Sequence, residues 1–427
     1  MALGVLLSGC GAAESLIGKF GGGSDEVLPG AREAVMPPNT LGVSESQSSE
    51  PVVIPAAVSN SNWTQPGGVA SHAMHNLALG SELKRAFAVD AGRGSDSYGR
   101  LTASPIVAGG RVFVLDSQAE VRAVSANDGA AIWSRSLAPE DRDGRGAFGG
   151  GLATDGTRLY ATTAFGEVVA LDISTGNEIW RKKFESPIRG APTVDGGRVF
   201  FATVSNDTHA IDADDGSQLW RYQGIGEQAS TLASPSPVVA DGHVVVPHTT
   251  GELIAFRTDD GVPVWTETLT SLQPTSSLAN INDIAGRPVV ADGQVYAIAH
   301  SGRLGAFLLK TGEPVWAQEI SGTQMPWVAG GYVFVINRTS TIAAVERGRG
   351  GVRWTANLPG GGVWSGPVLG GGRLIAVSST GVMANISPQT GEVLSTIDLG
   401  EEVYIAPVIA NGTVYLLGDS GKLIALR

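Results

Sequence analysis

The 427-residue chain holds a single cysteine, Cys10, and is poor in charged (16%) and aromatic (6%) residues. One cysteine excludes an internal disulfide framework and any cysteine-rich metal site. Basic residues are outnumbered, 29 Lys and Arg against 41 Asp and Glu, and the formal net charge of -12 opposes a nucleic-acid partner. After Cys10 no run of about 18 apolar residues occurs, so nothing reads as a membrane-spanning helix. Catalytic signatures are equally thin. The six histidines are His72, His75, His209, His243, His248 and His300, and none sits in H-E-x-x-H. His243 and His248 flank one apolar strand, a weak candidate metal pair. The glycine-rich run Gly144–Gly151 lacks the G-K-[ST] ending of a phosphate loop and reads as a flexible loop, and no G-x-S-x-G elbow supports a serine nucleophile.

What the chain does have begins at its lone cysteine. Residues 2–9, ALGVLLSG, resemble the end of a signal peptide, and Leu7-Ser8-Gly9-Cys10 resembles the processing box of bacterial lipoproteins. That resemblance implies cleavage before Cys10 and lipid attachment to it. No basic residue precedes the short apolar run, so residues 1–9 are read as a signal remnant whose start lies upstream. Gly11 follows the cysteine rather than an aspartate that would resemble an inner-membrane retention mark, which implies the outer membrane. Residues 10–60 then read as the lipidated cysteine and a disordered tether. They carry three glycines at 21–23, Pro37-Pro38 and the polar run S-E-S-Q-S-S-E at 44–50, a composition that cannot offset the entropy of folding.

From residue 61 to 427 one unit repeats. The phrase G-x-x-x-W occurs with its tryptophan at Trp133, Trp180, Trp220, Trp265, Trp316 and Trp354, and a seventh copy, Gly391 to Ser395, has serine instead. Periods near 40–50 residues indicate a propeller or solenoid. Each unit reads as four short strands separated by Gly, Asp and Asn turns, with no segment holding a helical period. First strands begin near Pro105, Gly151, Pro192, Pro237, Pro288, Pro326, Pro367 and Pro407, which makes eight units. The eighth has three strands only. Leu83–Val89 lies ahead of the first unit and is expected to complete the last one beside Lys422–Leu426. The fold class is therefore all-β: an eight-bladed β-propeller of four-stranded antiparallel blades, closed by an N-terminal strand, since closure removes exposed edges and neither end looks like a polar cap. The six tryptophans are read as structural, packing between neighbouring blades.

These repeats resemble the propeller of pyrroloquinoline-quinone enzymes. The whole chain is similar more specifically to the propeller lipoprotein component of the bacterial outer-membrane β-barrel assembly machinery. The lipobox at Cys10, the motif N62-W-T-Q-P-G-G68 and the abrupt end after the last short strand carry that likeness. It implies a non-enzymatic scaffold without cofactor or metal, lipid-anchored at the periplasmic face of the outer membrane. Its partners would be the barrel-inserting subunit, bound through periplasmic POTRA domains, and unfolded outer-membrane clients. In the loop Glu185–Pro192, Arg189 matches the family's contact arginine and Ile188 a contact leucine, while Ser186 replaces a second leucine. In the longer insertion 271–288, Asp283 matches an acidic contact residue and Ala285 stands where a second acid can occur. The competing reading is a periplasmic quinoprotein dehydrogenase. Such enzymes need calcium ligands and often adjacent cysteines; the cysteine pair is missing, and the acids sit mostly in turns such as Asp214-Asp215 and Asp259-Asp260.

Overall fold

The computed structural model describes residues 51–140, 146, 148–226, 235–269, 284–300 and 302–427. Among them, eight four-stranded antiparallel sheets follow one another along the chain. The first is built from Ile106–Ala108, Arg111–Leu115, Glu120–Ser125 and Ala131–Ser136, innermost to outermost. Inner strands are buried on both faces because each blade is covered by its neighbours. Arg198–Ala202 (RVFFA) is thus apolar nearly throughout rather than alternating. Fourth strands face solvent at the rim, and in the second to fifth blades the tryptophan is the one buried position. Apolar clusters span adjacent blades: Tyr160 and Val168 of the second pack with Val199 and Phe201 of the third. First strands begin where expected except the seventh, Trp364–Gly370, which starts ahead of Pro367 and shifts register between Ser365 and Val368, where proline has no N–H for the ladder.

The repeat glycine and tryptophan form a clasp between blades. Each tryptophan pairs across its sheet with an alanine, as in Ala123↔Trp133 and Ala170↔Trp180, which leaves room for the indole to lean onto the next blade. There its Nε1–H donates to a turn carbonyl: Trp133 to Ile173, Trp180 to Ala213, Trp220 to Thr258, Trp265 to Leu309, Trp316 to Arg347 and Trp354 to Pro388, at 2.6–3.3 Å. The ring also covers the glycine of that turn. Gly176 has φ +71°, and a Cβ on it would lie 2.5 Å from Trp133. The glycine is thus required twice, by backbone conformation and by the ring above it.

The eighth blade closes the circle as the sequence implies. Arg85–Asp90 pairs antiparallel with Lys422–Leu426, with Phe87 opposite Ala425, and Lys84 and Arg427 exchange backbone hydrogen bonds of 2.8 and 2.9 Å. Phe87 takes the tryptophan's place and lies against Gly129 of the first blade. This topology also explains Ser395. The eighth blade's fourth strand arrives from the N-terminal side, so no hairpin turn stands there for a tryptophan of the seventh blade to cover. Ser395 instead accepts a hydrogen bond from Asn385 Nδ2 (3.1 Å), whose Oδ1 accepts one from Arg373 Nε (2.9 Å).

One boundary differs from expectation. Residues 51–60, read as tether from composition, are packed in part: Val52 is 3% exposed within the core cluster and Ile54 packs against it, while Val53 and Val58 are exposed. From Asn60 onward the chain laces one end of the ring, touching the blades in order. Asn60 bonds to Ile409 and Asn411 of the eighth blade, Trp63 to Val107 of the first, Thr64 to Thr154 of the second and Gln65 to Val194 of the third. Ala70 bonds to Val239 of the fourth, Ser71 to Val290 of the fifth, His75 to Trp327 of the sixth and Leu77 to Leu369 and Gly371 of the seventh. Val58 pairs with the Asn76–Ala78 stretch, so the lace closes on itself. The indoles of Trp63 and Trp327 stack at 6.3 Å inside it. Composition missed this because the bonds run to residues far along the chain, as in Asn60 to Ile409, 349 positions away. The expectations for residues 1–9 and for Cys10 lie outside the described residues.

Removing residues 1–50 is expected to leave the thermal unfolding midpoint unchanged, whereas removing 1–82 lowers it sharply. Loss of Trp63 and Leu77 alone forfeits about 2–5 kcal/mol each. Equal midpoints for the two truncations would show that the lace contributes nothing.

Candidate functional site

The segments leading into the inner strands surround one end of the channel, opposite the lace. The loop carrying Arg189 is held from several sides. Ile188 N–H donates to Thr163 O (3.3 Å), Thr162 Oγ1–H to Gly190 O (2.7 Å) and Gly150 N–H to Arg189 O (2.7 Å), and Ser186 Oγ meets Ser205 Oγ. Close approach of the two loops depends on glycine: a Cβ on Gly151 would collide with Ala191, and Gly149 has φ +108° beside Arg189. The end of the glycine-rich run, read as a flexible loop, is here a packing surface.

The expected docking residues fare differently. Ile188 is fully buried, packed in the cluster with Tyr160, Val168, Val199 and Phe201. This corrects its reading as an exposed contact: an aliphatic side chain beside Gly190 and Pro187 is drawn into the seam between the second and third blades. Arg189 is half-buried and lines the channel mouth. Asp283 lies outside the described residues, so its meeting with Arg189 is untouched. Ala285 is buried and lines the same mouth.

The mouth opens into a cavity of about 260 Å³ whose described lining includes Leu101, Thr102, Ser104, Arg189, Ala285, Arg287, Thr323, Gln324, Met325 and Tyr404. Two arginines, Arg189 and Arg287, line it, and no carboxylate residue is among the described lining residues. Among the described residues Arg287 has one weak partner, Ser104 Oγ at 3.4 Å, and its buried Nε has none. Burial in this apolar surround pulls its pKa down to about 10. Below it a pocket of about 30 Å³, room for one water, is bounded by Trp63 and Gly67 of the lace. Arg287 lies at the end of the 271–288 insertion, and reading by motif did not single it out. The available signal was an arginine directly before a first strand, where most other units carry a small residue.

The described lining offers little to a calcium ion. Among the described residues no group of three or more His, Cys, Asp or Glu is placed to hold a metal ion. Calcium needs several converging oxygen ligands, and this lining offers cations instead. His243 and His248 do not converge: His243 Nδ1 meets Asp241 O at 2.8 Å, while His248 is buried with Nε2 3.2 Å from Thr208 Oγ1. Three histidines are held neutral inside the ring. Burial lowers His72 to about 4, aided by the Arg287 charge and opposed by the Pro288 carbonyl 2.7 Å from Nδ1. Burial also lowers His209 to about 4, aided by Arg221, and His248 to about 4 against the pull of Glu252 and Asp207.

Comparison with known proteins gives a consistent picture. A family model described as outer membrane protein assembly factor BamB matches residues 117–356 and 338–427. The chain is 31% identical over 326 residues to outer membrane protein assembly factor BamB of Escherichia coli K12, covering 75% of this chain and 83% of that one. The Salmonella typhimurium protein of the same name is 29% identical over 326 residues, with the same coverage. Among solved structures, BamB from Moraxella catarrhalis superposes with a TM-score of 0.71 at 20% identity, covering 81% of this chain and all of that one. Quinohemoprotein alcohol dehydrogenase from Comamonas testosteroni superposes with a TM-score of 0.67 at 14% identity, over 87% of this chain and 81% of that one, a likeness of fold alone.

The neutral histidines make stability depend on pH. Their folded pKa values, near 4, lie below the ordinary 6.5, so the unfolded chain binds more protons between those values. Stability therefore falls as pH drops through 6.5 toward 4, by about 1.4 kcal/mol per pH unit for each proton taken up. The unfolding midpoint is expected to decline over this window, and less steeply in H72Q, whose amide can still donate to Pro288 O. A midpoint flat between about pH 6.5 and 4.5 would contradict the burial of these rings.

Proposed function

The chain belongs to the outer membrane protein assembly factor BamB family, and on that footing we propose that it is a non-enzymatic scaffold that helps fold and insert outer-membrane β-barrel proteins. The observation carrying this reading is the family match, which runs from residue 117 to the end of the last blade. The ring supports it physically. Eight blades clasped to one another and laced at one end make a rigid platform, and its unlaced mouth displays Arg189 on a loop pinned from both sides. Rigid presentation limits the entropy lost on docking.

The proposed partner is the barrel-inserting subunit, met through its periplasmic POTRA domains, with unfolded outer-membrane proteins as further clients. Arg189 offers a planar donor fork that lysine would copy poorly. Asp283 is retained as a second contact, weaker because a rim charge is screened. Ile188 stabilises the seam behind the loop instead of touching the partner. The proposed anchor is lipid on Cys10, at the periplasmic face of the outer membrane; several acyl chains would make it stable.

Two measurements test this. R189A should lower recovery of the barrel-inserting subunit from membranes, by roughly thirtyfold in affinity if the arginine contributes about 2 kcal/mol, with an unchanged unfolding midpoint. I188D should unfold the protein and so cannot report on docking. Expressed with its native leader, the wild type should fractionate with the outer membrane and C10S should not. Equal recovery by wild type and R189A would remove the mouth from the interface. C10S remaining membrane-bound, with no change in mass, would end the anchor proposal.

A further inference from the structure

We propose that the channel mouth is a binding site for a carboxylate group, held between the guanidinium groups of Arg287 and Arg189. Between the cavity and the lace lies the small pocket bounded by Trp63 and Gly67, which shares Ser104, Arg287, Gln324 and Met325 with the cavity, so a ligand enters from the docking side. Among the described residues neither guanidinium group has an ion-pair partner. Arg287 has only the 3.4 Å contact to Ser104 Oγ, and its buried Nε has none. Several other part-buried arginines are paired with acids: Arg181 with Glu167, Arg221 with Asp207, Arg347 with Asp292. Glu402, an acid of the same rim, is engaged with the Tyr404 hydroxyl and lies outside the lining. A buried cation left unpaired is costly, and the cost is recovered when an anion arrives.

The remaining lining favours a carboxylate over a bare inorganic ion. Guanidinium matches the two carboxylate oxygens as a fork. Leu101, Ala285 and Met325 suit the carbon body that carries such a group. A cavity of about 260 Å³ admits a small organic acid or one inserted acidic side chain. The carboxylate could thus be that of a free organic acid or of a docked protein. The second source rests on the docking reading above; the first does not.

Both sources can be separated with full-length wild type, R287M and R287K. Thermal unfolding is followed with succinate, citrate and inorganic phosphate at matched ionic strength, and capture of the purified barrel-inserting subunit is measured in parallel. R287M should unfold no lower than wild type in anion-free buffer, because methionine replaces an unpaired cation. If succinate and citrate raise the wild-type midpoint but not that of R287M, with R287K between, the site takes a free organic acid. If neither acid acts but R287M captures the subunit at least about tenfold more weakly, the carboxylate is the partner's. Phosphate stabilising as well as the acids, R287M unfolding well below wild type, or R287M matching wild type in every arm would each overturn the proposal. Failure of the wild type itself to capture the subunit sinks the docking reading alone, and the titration then decides.

Discussion

The ring depends on a contact made seven times between adjacent blades: an aromatic side chain on one outer strand, lying over a glycine turn of the next. The indole brings apolar area, and its N–H satisfies a turn carbonyl that the rim would otherwise leave to water. Neither half works alone. Any side chain at the turn glycine would strike the ring, and the positive φ there already disfavours one. The alanine opposite each tryptophan completes the arrangement by letting the indole lean outward. The two departures follow from the same geometry. Phe87 performs the contact on the closing strand, and Ser395 stands where there is no turn to cover.

Clasps join blades to their neighbours at the rim, whereas the lace ties all eight together at the centre. Residues 60–77 visit every blade in angular order, with hydrogen bonds reaching each inner strand or the edge beside it. Its tight path depends on the motif N62-W-T-Q-P-G-G68: Gly67 at φ +87° brings the backbone against the His72 ring. One end of the channel is closed in this way. That asymmetry distinguishes the two ends of a symmetric repeat, and Arg189 and Arg287 line the unlaced one.

Membership of a protein-assembly family accords with this division of labour. A propeller's blades supply rigidity, and its lead-in loops vary without disturbing the clasps. Arg189 and Arg287 line one cavity although 98 residues separate them in sequence. The same shell of blades superposes on quinoprotein enzymes, yet the cations lining this mouth are the wrong donors for calcium.

Fold class, blade number and mode of closure are legible in the sequence alone, because they are encoded in local, repeated signals. The glycine-to-tryptophan spacing, the short apolar strands between turns and the missing fourth strand of the last unit can each be read within one repeat. The burial of Ile188, the lace and the placing of Arg189 and Arg287 on one cavity emerge only once the chain has folded. An isoleucine next to an arginine on a loop reads as a contact until packing shows it filling the seam between two blades. A Pro- and Gly-rich lead looks unable to fold because its own residues offer it no partners; its hydrogen bonds go to strands from every blade. Arg287 carries no local mark of isolation, since whether a cation is paired depends on which distant loops share its cavity. Periodicity is a property of neighbours along the chain, whereas burial and charge pairing are properties of neighbours in space.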